Sequence, residues 1–232
     1  MRSEARRFQR GFDRHLMNVA QMKRYRPEWD WKNMKGSAAC LKWSYRDLIN
    51  LDKAIALTPN KRLAIQAGGN LGIFPKRMAE EFEVVHTFEP DPVLFKCLRA
   101  NAREPNIVAH QKAIGNSNDP VSMSCRRRDR TGKPEHEGLS HVAGRGDIPQ
   151  VRIDDLGFTE CGLIYLDIEG YELFALQGAR QTILRHRPVI TVEINKNIGY
   201  YGRTREEIRD WIMMQGYRFI TRSHSDEVFT PC

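Results

Sequence analysis

The sequence lacks any apolar run of the roughly 18–20 residues that a membrane-spanning helix requires. Its Arg-rich first residues also lack the apolar stretch of a secretory signal peptide, and no segment is repeated or of low complexity. We therefore expect a soluble cytoplasmic protein with no membrane partner. A chain of 232 residues that is 41% hydrophobic is long enough to form the core of one α/β domain.

Cysteine is scarce, and the five cysteines form neither a Cys-X-X-Cys pair nor a cluster with histidine. This pattern argues against a zinc site and against a disulfide framework, so we expect reduced thiols. The cysteines are Cys40, Cys97, Cys125, Cys161 and Cys232.

The excess of positive charge is confined to the N-terminal part of the chain. Residues 1–62 contain 15 Lys and Arg against 6 Asp and Glu, whereas the remaining residues contain 22 against 23. We therefore divide the chain into a basic helical N-terminal extension, residues 1–62, and a second domain, residues 63–232. The extension either meets an acidic partner such as nucleic acid or packs on the domain as an amphipathic helix.

From residue 63 onward, short apolar runs alternate with stretches of helix length, which predicts a parallel sheet with crossover helices. Two short runs near the C-terminus, "YRFIT" and "DEVFT", predict a final antiparallel hairpin. The predicted strands are 63–67, 83–88, 106–110, 161–166 and 188–194. The predicted helices are 3–24, 45–57, 73–81, 91–103, 171–185 and 204–214.

Residues 113–155 interrupt this alternation. "VSMSC" and "QVRI" predict two short strands, and a long polar loop that contains Arg126–Arg130 lies between them. Loops of this length inside a domain are usually lids or disordered segments. The arginines either clamp an anionic substrate or form a solvated charge run.

A glycine-rich turn, Gly68-Gly69-Asn70-Leu71-Gly72, follows the first predicted strand. The first glycine of the G-x-G-x-x-G dinucleotide motif is missing, because Ala67 stands there, and no Gly-Lys-Ser/Thr follows as in a P-loop. The dehydrogenase interpretation is therefore the weakest. The turn still lets a ligand approach the backbone closely, or it is merely a tight structural turn.

Carboxylates lie at or just after the ends of three of the predicted strands, where an open α/β sheet binds its ligand. Glu89 stands 17 residues after Gly72, and an acid there either accepts hydrogen bonds from both ribose hydroxyls of a nucleoside or is a surface residue at a helix N-terminus. Further along, the carboxylates are Asp167, Glu169 and Glu172 after one strand and Glu193, with Asn195, after the next. Such crowding raises the pKa of at least one member unless a cation relieves it.

Several segments occur in an order and at a spacing that resemble the FkbM family of SAM-dependent methyltransferases. They are "AIQAGGNLG", "TFEPDPVLFKCLRAN", "RIDDL", "LIYLDIEGYELFALQGA" and "PVITVEI". The resemblance covers roughly Leu63 to Asn195. It implies a Rossmann-like class I methyltransferase fold, with a seven-stranded, mostly parallel sheet and a reversed C-terminal hairpin.

The resemblance also implies where S-adenosylmethionine (SAM) lies. Gly68, Gly69, Asn70 and Gly72 are expected at its methionine part. Glu89 is expected at the ribose, Ala113 and Ile114 near the adenine, and Asp167 near the transferred methyl group. The family usually has Asp where this chain has Gln66, so Gln66 is the expected but weaker contact to the methionine amino group.

The resemblance further implies a SAM-dependent O-methyltransferase that acts on a hydroxyl of a sugar, a glycan or another small metabolite. Asp167 is the first candidate for the catalytic base, followed by Glu193 and Glu169. Asp167 and Glu193 are alternatively ligands of Mg²⁺, which prefers oxygen donors. Two other functions stay open: methylation of nucleic acid through the basic extension, and a SAM- or nucleoside-binding module without catalysis, which Gln66 favours.

Overall fold

The computed structural model describes residues 48–125 and 140–232. The predicted helix 3–24 and the arginines of the long loop lie outside these residues. So does most of the basic extension, and the boundary at residue 62 stays a prediction. Within the described part of the chain, no helix has the length and apolar character needed to cross a membrane.

The centre of the domain is a seven-stranded sheet. In chain order its strands are β1 (Leu63–Ala67), β2 (Val84–Phe88), β3 (Ile107–His110), β8 (Leu163–Leu166), β9 (Val189–Glu193), β10 (Tyr217–Ser223) and β11 (Asp226–Pro231). Their spatial order is β10-β11-β9-β8-β1-β2-β3. Strands β3, β2, β1, β8 and β9 are parallel, whereas β11 pairs antiparallel with β9 and with β10. This confirms the predicted mostly parallel sheet with its reversed C-terminal hairpin.

Six α-helices cover the two faces of this sheet within the described residues. They are α1 (residues 48–57), α2 (Ile73–Met78), α3 (Pro92–Asn101), α4 (Glu172–Gln177), α5 (Arg180–His186) and α6 (Arg205–Met214). Two 3₁₀ helices, Ile153–Leu156 and Lys196–Tyr201, complete the helical segments. Side chains of α1, α2 and α3 pack on one face, and side chains of α4, α5 and α6 pack on the other.

The first described helix, α1, is part of the core. Leu48, Leu51 and Ala54 have no exposed surface and belong to the same buried cluster as Phe74 and Tyr165. Polar contacts add to this packing, because the Arg77 side chain in α2 pairs with Asp52 at 2.9 Å. Residues 48–57 therefore pack directly on the sheet domain.

Local sequence explains where two of the helices begin. Asp91 caps α3 by accepting hydrogen bonds from the N–H groups of Val93 and Leu94, and Pro92 fits the first helical turn. Thr204 and Glu207 form a reciprocal capping box at the start of α6.

The segment between β3 and β8 holds four short strands outside the main sheet: β4 (Ala113–Ile114), β5 (Val121–Cys125), β6 (Ser140–Arg145) and β7 (Gln150–Val151). Strand β4 pairs with β7, and β5 pairs antiparallel with β6. The prediction of a strand at "VSMSC" is confirmed, but "QVRI" is a strand only at its first two residues. A 3₁₀ helix begins at Ile153, and β6 was not predicted from the sequence.

The prediction of one helix over 171–185 was wrong, because α4 ends at Gln177 and α5 begins at Arg180. Gly178 lies at the break, against the backbone of Gly115. A Cβ on Gly178 would lie 1.9 Å from the Gly115 carbonyl oxygen. Among the cysteines whose side chains are described, Cys97 and Cys161 are buried free thiols and Cys232 is an exposed one.

Candidate active site

The glycine turn after β1 is fixed by two hydrogen bonds to the neighbouring strand. The N–H groups of Gly68 and Gly69 both donate to the Phe88 carbonyl oxygen, at 3.0 and 2.9 Å. Gly68 and Gly72 have φ angles of 89° and 83°, and Asn70 has 44°. Glycine favours this left-handed region, and asparagine visits it more readily than most residues. The turn therefore follows from its residue types.

Gly68 is also the point of closest approach between the turn and the end of β8. A Cβ at this position would lie 1.9 Å from the carbonyl oxygen of Asp167. Only a residue without a side chain allows the two loops to meet here, which brings the turn and the carboxylates of the next loop into one cleft.

Glu89 lies at the end of β2, and only 4% of its surface is exposed. Its Oε2 accepts the N–H of Asn70 at 2.8 Å, and its Oε1 accepts the N–H of Asp91 at 2.9 Å. Burial raises the pKa of Glu89 to about 7, although these two hydrogen bonds act in the opposite direction. The carboxyl group lines the cleft with its orientation fixed.

Gln66 is fully buried within β1, beneath the turn. Its Nε2 donates to the Gly68 carbonyl oxygen at 2.8 Å, and its Oε1 accepts from the Thr87 hydroxyl at 2.5 Å. Both polar ends of the side chain therefore support the protein itself. Its predicted contact with the cofactor stays a prediction.

Seven of the other predicted cofactor residues line one cleft, and they are Gly68, Gly69, Asn70, Glu89, Ala113, Ile114 and Asp167. Gly72 is not among the residues that line it and lies against Leu98 and Ala102 of the next helix and its end. Further wall residues were not predicted, among them Lys112 beside β4, and Met123 and Val142 of the paired strands β5 and β6. Only the tertiary structure places them beside the cleft.

The predicted carboxylates Asp167, Glu169 and Glu193 meet at the rim. Each offers one oxygen, and these three oxygens lie within 4.8 Å of one another. The register explains the meeting, because Leu166 of β8 pairs with Val192 of β9 in parallel. Asp167 and Glu193 therefore leave adjacent strands at the same edge of the sheet.

Two asparagines donate hydrogen bonds to carboxylates of this cluster. The Asn195 amide donates to Glu193 Oε2, and the Asn197 amide donates to Glu169 Oε2, both at 2.5 Å. Asn197 was not recognised from the sequence. Burial, followed by the charges of Glu193 and Glu172, raises the pKa of Glu169 well above its ordinary value.

The fourth carboxyl group, Glu172, is fully buried at the start of α4. Its Oε1 accepts the N–H groups of Ile168 and Gly170, at 3.0 and 3.2 Å, so the loop that carries Asp167 and Glu169 wraps around it. Burial and the charge of Glu193 raise the pKa of Glu172 to about 8. Burial is thus the larger cause of the raised pKa of both Glu169 and Glu172, and the neighbouring carboxylates add to it.

The histidines of β2 and β3 pair with each other. His86 Nδ1 and His110 Nε2 lie 2.9 Å apart, and the His110 ring stacks on Phe88. Burial and the neighbouring His86 lower the pKa of His110 to about 4. The two partly buried rings therefore satisfy each other's hydrogen-bonding groups, which is typical of a structural contact.

A sequence model of the methyltransferase FkbM domain matches residues 66–219, about two thirds of the chain. The chain belongs to the FkbM methyltransferase family. The matched segment includes the glycine turn, Glu89 and the whole carboxylate cluster.

Solved structures of methyltransferases are similar to this FkbM domain in fold. An FkbM methyltransferase from Methylobacillus flagellatus KT aligns with 17% identity and a TM-score of 0.51. The alignment covers 96% of this chain but 57% of that protein, so the chain spans little more than half of its length. A TehB-like SAM-dependent methyltransferase from Corynebacterium glutamicum aligns with 15% identity over 93% of this chain and all of that one, at a TM-score of 0.45. No curated protein gave a significant match to the sequence.

Proposed function

We propose that this protein transfers a methyl group from SAM to a hydroxyl oxygen of a small acceptor, such as a sugar or glycan. Membership of the FkbM family supports methyl transfer. The observation that carries the choice of cofactor is the buried Glu89 carboxyl group, held by Asn70 and Asp91 beside the glycine turn. Each of its oxygens keeps a second lone pair for a ribose hydroxyl.

The proposed cofactor extends from Glu89 in both directions along the cleft. The glycine turn borders the methionine part, and Ala113 and Ile114 contact the adenine. These assignments rest on the shared cleft, which is lined by Ala113, Ile114 and the turn residues Gly68, Gly69 and Asn70. Lys112 is a basic side chain on the adenine side of the same wall.

The proposed reaction is a direct displacement at the methyl carbon. The acceptor oxygen forms a bond to this carbon while the bond from carbon to sulfur breaks, and its electron pair stays on sulfur to give S-adenosylhomocysteine. The hydroxyl proton passes to a carboxylate. Asp167 is the first candidate for this base because it follows β8 at the cleft, with Glu193 and Glu169 next.

Calorimetry tests the cofactor. We expect wild-type protein to bind SAM and S-adenosylhomocysteine but not NAD. Asp167→Ala should bind SAM almost as well as wild type but should lose methyl transfer to hydroxylated acceptors in a radiolabel assay. Asp210→Asn, on the exposed side of α6, is the matched control. Folded wild-type protein that binds neither SAM nor its product contradicts the proposal.

Two other functions stay as alternatives to this proposal. The basic residues that favour nucleic acid as the acceptor lie mostly outside the described residues, and the chain lacks the N/D-P-P-Y/F tetrapeptide of enzymes that methylate base amino groups. A salt-dependent shift with RNA or DNA that disappears on deletion of residues 1–35 favours that alternative. SAM binding without turnover on any acceptor favours a non-catalytic module.

A further inference from the structure

Three carboxylates that converge on one point repel each other, and the fold holds them there. Asp167 and Glu169 belong to one loop and Glu193 to the next strand, so two separate chain segments supply the cluster. Glu169 also has a φ angle of 57°, a conformation that costs about 1–3 kcal/mol for a residue other than glycine. The chain therefore pays a conformational cost to keep a carboxylate in this place.

A second observation comes from the buried Glu172. Its surface is 0% exposed, and its Oε2 has no hydrogen-bond partner among the described residues. The other oxygen, Oε1, accepts the N–H groups of Ile168 and Gly170, the residues on either side of Glu169, so this carboxyl group lies directly under the loop of the cluster. A buried polar atom without a partner requires an explanation, and a bound ion nearby is one.

Positive side chains do not compensate Glu169 and Glu172. No ion pair to either is present among residues 48–125 and 140–232, and the groups that act on Glu169 are two carboxylates and one amide. The amides of Asn195 and Asn197 each donate a hydrogen bond to one oxygen of Glu193 and Glu169, respectively. Hydrogen bonds of this kind to ligating carboxylates orient them around a bound metal.

We propose that Asp167, Glu169 and Glu193 bind one hard divalent cation. An ion such as Ca²⁺ has oxygen ligands at about 2.3–2.6 Å, so oxygens on opposite sides of it lie up to ~5 Å apart. The three carboxylate oxygens lie within 4.8 Å of one another, which fits this span. Mg²⁺, with bonds of about 2.0–2.1 Å, requires its oxygen ligands within about 4.2 Å of one another.

The role of the cation rests on the proposed function. Beside the transferred methyl group, a cation would bind the acceptor hydroxyl, orient its oxygen and lower its pKa. Asp167 and Glu193 would then act as ligands, and the proton would pass to a neighbouring carboxylate or to water. The binding of the cation itself does not depend on this role.

Electron paramagnetic resonance with Mn²⁺ as the probe tests the site in the full chain. We expect one bound Mn²⁺ with a dissociation constant of about 10⁻³ M or tighter, displaced by Ca²⁺ or Mg²⁺. Glu193→Gln and Asp167→Asn should each weaken this binding by ~10-fold or more, and Glu206→Gln, an exposed carboxylate on α6, should leave it unchanged. Glu193→Gln removes a repelling charge, so without metal its melting temperature should be higher than that of wild type. Addition of Mn²⁺ should raise the melting temperature of wild type but not that of Glu193→Gln.

Absence of bound Mn²⁺ in folded wild-type protein overturns the proposal, and so does binding that both cluster variants retain. Calorimetry with SAM on the same preparation keeps the two proposals apart. Mn²⁺ binding without SAM binding refutes the cofactor proposal alone, and SAM binding without Mn²⁺ binding refutes the cation site alone. If Glu193→Gln does not fold, Asp167→Asn alone decides.

Discussion

The Oε2 atom of Glu89 accepts the backbone N–H of Asn70 at 2.8 Å, which joins the end of β2 to the glycine turn that follows β1. The other oxygen, Oε1, accepts the N–H of Asp91 at the cap of α3. One buried carboxyl group thus connects three segments that line the cleft. Loss of its charge should affect ligand binding more than folding.

We expect Glu89→Gln to weaken SAM binding by ~10-fold or more. The glutamine still offers one carbonyl oxygen to a backbone N–H, but it loses the second acceptor and the charge that strengthens hydrogen bonds from ribose hydroxyls. Calorimetry with SAM measures the change. Glu83→Gln, an exposed carboxylate just before β2, is the control. Equal affinities of Glu89→Gln and wild type would place the ribose elsewhere.

The raised pKa of Glu89 predicts how stability depends on pH. The folded group has a pKa of about 7 against 4.5 ordinarily, so the folded protein holds a proton that the unfolded chain releases. Glu89 therefore stabilises the fold fully below pH 4.5, and this contribution is lost as pH rises to about 7. Between these pH values the contribution of Glu89 to the free energy of unfolding falls by up to roughly 1.4 kcal/mol per pH unit.

Urea unfolding from roughly pH 5 to 8 measures this effect as the difference between wild type and Glu89→Gln. The difference between the two proteins is needed because His110 has the opposite effect on stability. Its pKa is lowered from the ordinary 6.5 to about 4, so below pH 6.5 it makes stability fall as pH falls. Its contribution is present above pH 6.5 and is lost as pH falls. A difference between the two proteins that does not change with pH would show that Glu89 ionises normally.

The strands of the main sheet were predictable from sequence, and the break between α4 and α5 was not. Apolar runs locate β1, β2 and β8 because both faces of the sheet are buried, which local composition reveals. The break at Gly178 reflects contact with Gly115, 63 residues earlier in the chain. No local pattern contains such a contact.

The candidate site shows the same division. The residue types at the strand ends predicted Glu89, Asp167, Glu169 and Glu193, because the carboxyl ends of parallel strands share one edge. The sequence did not reveal that Glu172 is buried beneath the loop it follows, or that Asn197 contacts Glu169. Both depend on how the loops fold back on one another.

Gly68→Ala should destabilise the protein strongly and disturb the position of Asp167. The new Cβ would lie 1.9 Å from the Asp167 carbonyl oxygen, at a φ of 89°. Gly157→Ala is the matched control, because Gly157 also has a positive φ, 68°, but nothing lies within 4 Å of its Cβ position. We expect the control to lose about 1 kcal/mol of unfolding free energy and Gly68→Ala to lose about 3 kcal/mol or more. Similar losses in both would show that the loops separate easily.

Gln66→Glu tests whether Gln66 supports the turn or meets the cofactor. The substitution keeps the shape of the side chain but replaces the donor to the Gly68 carbonyl with an oxygen, which leaves a buried charge facing another acceptor. We expect a loss of about 3 kcal/mol in unfolding free energy at neutral pH. Part of this should return on acidification, because a protonated carboxyl group can donate to Gly68 again.

Thr87→Val is the matched variant for Gln66→Glu, since it removes the donor to Gln66 Oε1 without adding a charge. Its loss should be smaller, about 1–3 kcal/mol, and should not change with pH. If Gln66→Glu instead keeps wild-type stability and binds SAM more tightly, the residue faces the amino group of the methionine part. The aspartate that the family usually has at this position would then bind the same amino group through its negative charge.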